Sequence, residues 1–167
     1  MKKERFFNAF VSQQFGYEIY EYLKKSSYCF QTKFTKIVQV HLFTSDGNCI
    51  LFDEGFGFIK PITGKIEEGE SSMDTALREV AEEIGLVLDH IHMTLNYFSG
   101  ISPKGKKILG RTCFAILPES FSPSAFKFNE EILGYISLSK ADALSLLIQK
   151  GFPEAASGFR YILDQGY

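Results

Sequence analysis

The chain contains 167 residues, of which 18 are basic and 20 are acidic, and 45% of its residues are hydrophobic. This composition is typical of a globular protein and excludes extensive disorder, while the near balance of charge excludes bulk nucleic-acid binding through a basic surface. Three widely spaced cysteines without a C-x-x-C pair indicate reduced thiols, and no apolar run reaches the ~18 residues that cross a bilayer. We therefore expect one cytoplasmic domain over residues 1–167 with no membrane contact.

Residues 1–32 are rich in phenylalanine and tyrosine and form an N-terminal extension before the first clear strand pattern. A short helix is predicted over 17–25, and the extension is a candidate cover for the sheet or a contact in a homodimer. β-Branched and aromatic residues then predict five strands, two of them joined by the turn at 45–48 and two by the turn at 102–105. The predicted strands are 34–44, 49–52, 94–99, 108–117 and 134–138.

Three helices are predicted at 71–84, at 140–150 and after Pro153, which suits the first position of a helix. The first has a capping-box pattern between Ser71 and Asp74 and is followed by Gly85, a residue that commonly ends helices. Strands and helices in this order predict the α+β class, with a mixed sheet.

The helix over 71–84 carries three carboxylates on one side. Glu79, Glu82 and Glu83 stand at i, i+3 and i+4, which gathers them within an arc of about 100° beside the apolar stripe. Like charges at this spacing repel one another and weaken the helix. A divalent cation removes the conflict, and carboxylate oxygens suit magnesium or manganese.

The loop that precedes this helix contains three more acidic residues, Glu67, Glu68 and Glu70. A helix N-terminus normally attracts anions, but a bare phosphate would be repelled by so many carboxylates. The pattern therefore indicates that metal ions come between carboxylates and phosphates, as in metal-assisted hydrolysis of a phosphate or pyrophosphate.

Residues 64–86 match, at every specified position, the Nudix box G-x5-E-x7-R-E-U-x-E-E-x-G-U, in which U is aliphatic. The matching residues are Gly64, Glu70, Arg78, Glu79, Val80, Glu82, Glu83, Gly85 and Leu86. The chain thus resembles the Nudix hydrolases. The resemblance implies an α/β/α sandwich with a mixed central sheet, and hydrolysis of a nucleoside diphosphate linked to another group by attack of water on phosphorus.

The resemblance also implies roles for individual residues. Glu79, Glu82 and Glu83 would be metal ligands, joined by the backbone carbonyl of Thr63, with Glu79 or Glu82 also near the attacking water. Arg78 would fix Glu79 through an ion pair. Three further residues of the box would be structural: Gly64, Glu70 and Gly85. Of these, Glu70 would brace the loop.

Family members often use one more acid from a loop before the last strand. Here Glu130 and Glu131 precede the predicted strand 134–138, and Glu131 is our candidate for a metal ligand or general base, with Glu130 second. Two solvated loop acids are the alternative interpretation.

The motif Pro61-Ile62-Thr63-Gly64 resembles the corresponding sequence of the subgroup that hydrolyses dihydroneopterin triphosphate or deoxynucleoside triphosphates. The arginine pair of that subgroup is replaced by Asp53-Glu54. Lysines, an arginine and aromatic residues near the box are candidate substrate contacts, and Phe56, Phe58, Tyr97 or Phe98 could stack a base. These candidates are Lys60, Lys65, Phe58 and Arg111.

Three alternatives remain open from the sequence. The first is a Nudix-fold module that binds a nucleotide without turnover, and the second is a hydrolase of ADP-ribose or dinucleotides. The third is an isomerase of isoprenoid diphosphates, which would need Cys49 or Cys113 in its active site.

Overall fold

The computed structural model describes residues 9–10, 35–101 and 107–167. Within these ranges the sheet contains eight strands: β1 (Ala9–Phe10), β2 (Thr35–Phe43), β3 (Cys49–Asp53), β4 (Ile59–Lys60), β5 (Ile62–Lys65), β6 (His92–Ile101), β7 (Lys107–Ile116) and β8 (Gly134–Leu138). The helices are α1 (Ser72–Ile84), α2 (Lys140–Lys150) and α3 (Pro153–Asp164). The predicted helix at 17–25 and the predicted turn at 102–105 lie outside the described residues.

Strand β2 forms the centre of the sheet. One edge pairs in parallel with β7 along its whole length, from Thr35 opposite Ile108 to Phe43 opposite Ile116. The strand order is β1-β6-β7-β2-β3-β4, and β8 pairs with the outer edge of β3. The sheet is therefore mixed, with one parallel pair among antiparallel ones.

The other edge of β2 is shared by two strands. Leu42 and Phe43 pair with β3, whereas the part from Ile37 to Val40 pairs with β5. Because β4 pairs with the far end of β3, the segment from β4 to β5 lies between β2 and β3 where these strands diverge. This segment leads directly into the loop before α1.

The two larger hydrophobic cores among the described residues lie on opposite faces of the sheet. One contains Val38 and Val40 of β2 packed against Val80 and Ile84 of α1. The other contains residues of β2, β3 and β7 packed against α2 and α3, with Phe159 at its centre. The fold is thus α+β with helices on both faces of a mixed sheet, which confirms the predicted α/β/α sandwich.

The predicted elements within the described ranges are confirmed, with ends that differ by up to two residues. At α1 the Ser71 side chain accepts a hydrogen bond from the amide of Asp74 (3.0 Å), and the Asp74 carboxylate accepts one from the amide of Ser71 (2.9 Å). The helix ends at Gly85, whose φ of 67° is left-handed. Strands β1, β4 and β5 were not predicted. Each has only two or four residues, which show no alternation, and each forms by pairing with another strand. None of the helices in the described part of the chain could span a bilayer.

Candidate active site

The loop between β5 and α1 is held by the carboxylate of Glu70. This carboxylate accepts hydrogen bonds from the Glu67 amide (3.1 Å), the Thr75 hydroxyl (2.7 Å) and the guanidinium of Arg78 (2.6 and 3.0 Å). These donors, Arg78 first, lower the pKa of Glu70 to about 2. Glu70 therefore stays ionised and ties the loop to α1.

Arg78 links the loop to the acids of the helix. Its Nη2 donates to the carbonyl oxygen of Lys65 (3.0 Å), and its Nη1 donates to Glu79 (2.7 Å) and Glu82 (3.2 Å). Glu70 is the main cause of a raised pKa for Arg78, so the guanidinium keeps its charge. The predicted ion pair between Arg78 and Glu79 is present in the structure.

Glu79 lies against the backbone of β5. A Cβ atom added to Gly64 would overlap the Cγ and Cδ atoms of Glu79, so only glycine leaves room for this side chain. Partial burial raises the pKa of Glu79, with Arg78 opposing the shift and the charges of Glu82 and Glu131 adding to it. The position of the carboxylate is therefore set by the strand beneath it and by Arg78.

Glu83 is the most buried of the helix carboxylates, with 5% of its surface exposed. Its Oε2 has no hydrogen-bond partner among the described residues. Burial raises the pKa of Glu83 to about 8, Lys60 lowers it, and the charges of Glu54, Glu79 and Glu131 add to the rise. A buried carboxylate oxygen without a donor is a costly arrangement unless a cation or proton is bound to it.

Glu131 reaches the cluster on a segment that closes the C-terminal end of α1. The amide of Lys127 donates to the carbonyl of Ile84 (2.8 Å), and the amide of Asn129 donates to the carbonyl of Glu83 (3.0 Å). These bonds satisfy helix carbonyls that have no partner inside the helix. They also bring the charge of Glu131 close enough to raise the pKa values of both Glu79 and Glu83.

An ion pair that the sequence did not predict borders Glu83. The ammonium of Lys60 lies 2.8 Å from Oε1 of Glu54, and both side chains are largely shielded from solvent, with 17% and 25% exposed. Lys60 belongs to β4, which pairs with β3 just before Glu54. The hairpin of β3 and β4 could have revealed this pair, but β4 is too short to be recognised from its sequence.

Four other candidate residues differ in their exposure and in the contacts that they make. Glu82 is at the exposed edge of the helix, with 59% of its side chain exposed. Thr63 lies in β5 beside Gly64, and the contact of Lys65 with Arg78 is made by its carbonyl. Phe58 packs against Phe152 in the second core.

Arg111 lies on β7, outside the acid cluster. Its Nε donates to the carbonyl of Thr94 (2.9 Å), and its guanidinium lies 5.3 Å from the ring centroid of Tyr97. Direct contact of Arg111 or Phe58 with a substrate remains a prediction.

The chemistry of the acid cluster fits a hard divalent cation. No three acidic, histidine or cysteine side chains among the described residues already surround one point as a complete metal site. The donors nevertheless suit magnesium or manganese, since Glu83 has a carboxylate oxygen without a partner and Glu79 is fixed beside it. Arg78 occupies one oxygen of Glu79 and one of Glu82, which leaves their other oxygens for a metal.

The two cysteines in the described ranges are unsuited to catalysis. Cys49 and Cys113 are fully buried, and burial raises the pKa of each thiol to about 12. Neither can present a thiolate to a substrate at neutral pH. This arrangement argues against the isomerase alternative at both positions.

Comparison with known proteins identifies the family. Residues 33–151 match the family model described as the NUDIX domain. No curated protein sequence matches the chain significantly.

Solved structures with the same fold include enzymes and a ligand-binding domain. A dihydroneopterin triphosphate pyrophosphohydrolase of E. coli is 17% identical with a TM-score of 0.67, over 78% of this chain and 96% of that one. A C. elegans Ap4A hydrolase is 15% identical with a TM-score of 0.62, over 78% and 98%. The NUDIX domain of Shewanella oneidensis NrtR, solved with ADP ribose, is 20% identical with a TM-score of 0.60, over 86% and 97%. At these identities the likeness shows the fold alone.

Proposed function

Because the chain belongs to the Nudix family of hydrolases, which act on phosphoanhydride bonds, we propose that it is a metal-dependent pyrophosphohydrolase. The proposed substrate is a nucleoside or pterin triphosphate, and the proposed product is pyrophosphate. The observation that carries the proposal is Glu83, a buried carboxylate with an unpartnered oxygen beside the charges of Glu79 and Glu131.

The proposed metal ligands are the carboxylates of Glu79, Glu82 and Glu83, with the carbonyl of Thr63. Magnesium or manganese, when bound, supplies neutralisation of the phosphate charge and a lower pKa for the attacking water. Arg78 holds Glu79 and Glu82 in place from one side, so that their positions are set before substrate arrives.

In the proposed reaction a water oxygen forms a bond to phosphorus, and the bond between that phosphorus and the bridging oxygen breaks. The pyrophosphate group leaves with the bridging oxygen, and the water proton passes to a carboxylate. Glu131 is the proposed acceptor of this proton, because it is exposed and its charge acts on both Glu79 and Glu83. Glu130 is the second candidate.

Two observations support a triphosphate as substrate. The sequence Pro61-Ile62-Thr63-Gly64 resembles that of the subgroup that hydrolyses such compounds. In addition, Lys60 places a positive charge beside Glu83, where it can contact a phosphate oxygen in place of the missing arginine pair. Lys65 and Arg111 are further proposed contacts.

The test is a substrate panel with magnesium or manganese that scores phosphate and pyrophosphate release. It contains deoxynucleoside triphosphates, oxidised guanine nucleotides, dihydroneopterin triphosphate, ADP-ribose and diadenosine polyphosphates. Pyrophosphate release from a triphosphate supports the proposal, whereas turnover of ADP-ribose or a dinucleotide alone contradicts its substrate class. Silence across the panel, with a nucleotide still raising the melting temperature, would instead indicate a nucleotide sensor.

A further inference from the structure

A strained and exposed phenylalanine lies at the tip of the loop between β3 and β4. Phe56 has 96% of its surface exposed, and its φ of 54° is left-handed. Its neighbours Gly55 and Gly57 also have positive φ values, of 82° and 79°. An aromatic residue is rare in this backbone conformation and costs conformational energy, and here no burial of the ring offsets that cost.

A second exposed apolar side chain lies against the same loop. Leu133 is 69% exposed, and a Cβ atom added to Gly55 would lie 3.1 Å from its Cδ1. The amide of Leu133 donates to the carbonyl of Asp53 (2.7 Å), so the two segments are tied by backbone. We call Phe56 and Leu133 together the apolar rim.

The apolar rim is joined to the acid cluster by two short stretches of chain. Phe56 follows Glu54 by two residues, and Leu133 follows Glu131 by two residues. Both of these acids act electrostatically on Glu83. The two segments that bring negative charge to the candidate metal site therefore each continue into one exposed apolar side chain.

We propose that the apolar rim contacts the aromatic ring of the substrate, a nucleobase or a pterin, while its phosphates lie at the carboxylates. This inference rests on the proposed function and assigns the ring, rather than the sugar or phosphates, to Phe56 and Leu133. Aromatic rings and apolar side chains favour a planar heterocycle, and stacking tolerates different bases. Contact with a ligand also explains a ring held in solvent by a strained loop.

The test measures binding by calorimetry, with magnesium and two kinds of probe. The first kind is an α,β-methylene analogue of dATP or dGTP, which carries a base and resists hydrolysis at the bridging position. The second is inorganic tripolyphosphate, which has the charge but no ring. Because the readout is binding, it is independent of whether any compound on the substrate panel is turned over.

The informative variant is Phe56→Asn, because asparagine adopts left-handed backbone more readily than phenylalanine and so preserves the loop. We expect at least a 10-fold weaker binding of the nucleotide analogues and less than a 2-fold change for tripolyphosphate. Leu133→Ser should change binding in the same direction. Leu95→Ser is the matched control, since Leu95 is a 49% exposed leucine on β6; it should bind both probes like the wild type.

Several outcomes would overturn the inference. One is unchanged nucleotide binding in Phe56→Asn, and another is an equal loss for tripolyphosphate, which would place the effect at the phosphates. A wild-type chain that binds both probes equally, or neither, also contradicts a ring contact. If sedimentation shows that Phe56→Asn converts a dimer to a monomer while nucleotide binding is unchanged, the rim is a contact between copies of the chain.

Discussion

Gly64 and Glu79 are packed so closely that the glycine has no space for a side chain. The Cγ and Cδ atoms of Glu79 occupy the place where a Cβ atom of residue 64 would lie. Strand β5 thus sets the position of a proposed metal ligand on α1, and the Arg78 ion pair at 2.7 Å holds it from the other side.

This packing predicts the effect of Gly64→Ala. The added methyl group displaces Glu79 and breaks its contact with Arg78, so we expect turnover to fall at least ~100-fold. The side chain can move away, so the free energy of unfolding should fall by only about 1–2 kcal/mol. Activity assays and chemical denaturation check both values, and Gly134→Ala, where a Cβ meets nothing within 4 Å, is the control. A fully active Gly64→Ala protein would show that the position of Glu79 is unimportant.

Glu83→Gln should separate metal binding from stability. Burial raises the pKa of Glu83 to about 8, whereas in the unfolded chain the pKa is 4.5. Between these pH values the unfolded chain has lost the proton and the folded chain has not, so the free energy of unfolding of the metal-free protein falls as pH rises from 4.5 to 8. We expect the variant, without metal, to be more stable than the wild type at pH 8 by on the order of 2 kcal/mol, and equally stable below pH 4.5.

Magnesium should raise the melting temperature of the wild type much more than that of Glu83→Gln, measured by calorimetry. Glu68→Gln, an exposed acid in the loop before α1, serves as the control and should respond to magnesium like the wild type. An equal magnesium response in Glu83→Gln would exclude Glu83 as a ligand.

Lys60 should act mainly on substrate binding. Its ammonium lies beside Glu54 and near Glu83, so Lys60→Gln leaves the acid cluster more negative and more repulsive to phosphate. We expect a KM for the triphosphate substrate raised about 10-fold, equivalent to ~1.4 kcal/mol, with a smaller change in kcat. Lys60→Arg should recover most of the loss.

Lys140→Gln is the control for Lys60, because Lys140 begins α2 on the opposite face of the sheet. If Lys60→Gln changes kcat and leaves KM at the wild-type value, Lys60 does not bind phosphate.

The burial of His41 predicts that the free energy of unfolding falls in acid. It is fully buried in β2 against Phe159, neither ring nitrogen has a hydrogen-bond partner among the described residues, and burial lowers its pKa to about 3. The unfolded chain binds a proton below pH 6.5 while the native chain does not. The stabilising contribution of the neutral His41 to the free energy of unfolding is therefore fully present above pH 6.5 and is lost as pH falls from 6.5 towards 3.

The contribution of His41 to this loss should approach about 1.4 kcal/mol per pH unit. His41→Leu should remove it, so that the slope of unfolding free energy against pH between 6 and 4 is shallower by that amount. Equal slopes in urea denaturation of the two proteins would contradict the burial of a neutral imidazole.

The sequence was most informative where the signals were local. Helix α1 was predictable because Ser71 and Asp74 form a capping box, Gly85 ends the helix, and the spacing of acids fixes their common side. The contact between Arg78 and Glu70 was not predicted, since it spans the loop and the first turns of the helix.

Long-range relationships were less accessible. The position of Glu131 depends on amides of Lys127 and Asn129 that bind the end of α1, a contact that no local pattern reveals. Glu54 was missed because its pairing with Lys60 requires β4, which has two residues. The strain at Phe56 arises from three successive left-handed residues and has no signature beyond the flanking glycines.

Magnesium-dependent pyrophosphate release from triphosphates is the first quantity to compare between the wild type and Glu82→Gln. Glu82 is 59% exposed and its one described ion pair is with Arg78 at 3.2 Å, so its loss should change metal-free stability by less than ~0.5 kcal/mol. We predict pyrophosphate release by the wild type, at least a ~100-fold lower rate in Glu82→Gln, and nearly equal metal-free melting temperatures. Undiminished turnover in Glu82→Gln, or a sharp fall in its metal-free melting temperature, would contradict the assignment of these carboxylates to a catalytic metal site.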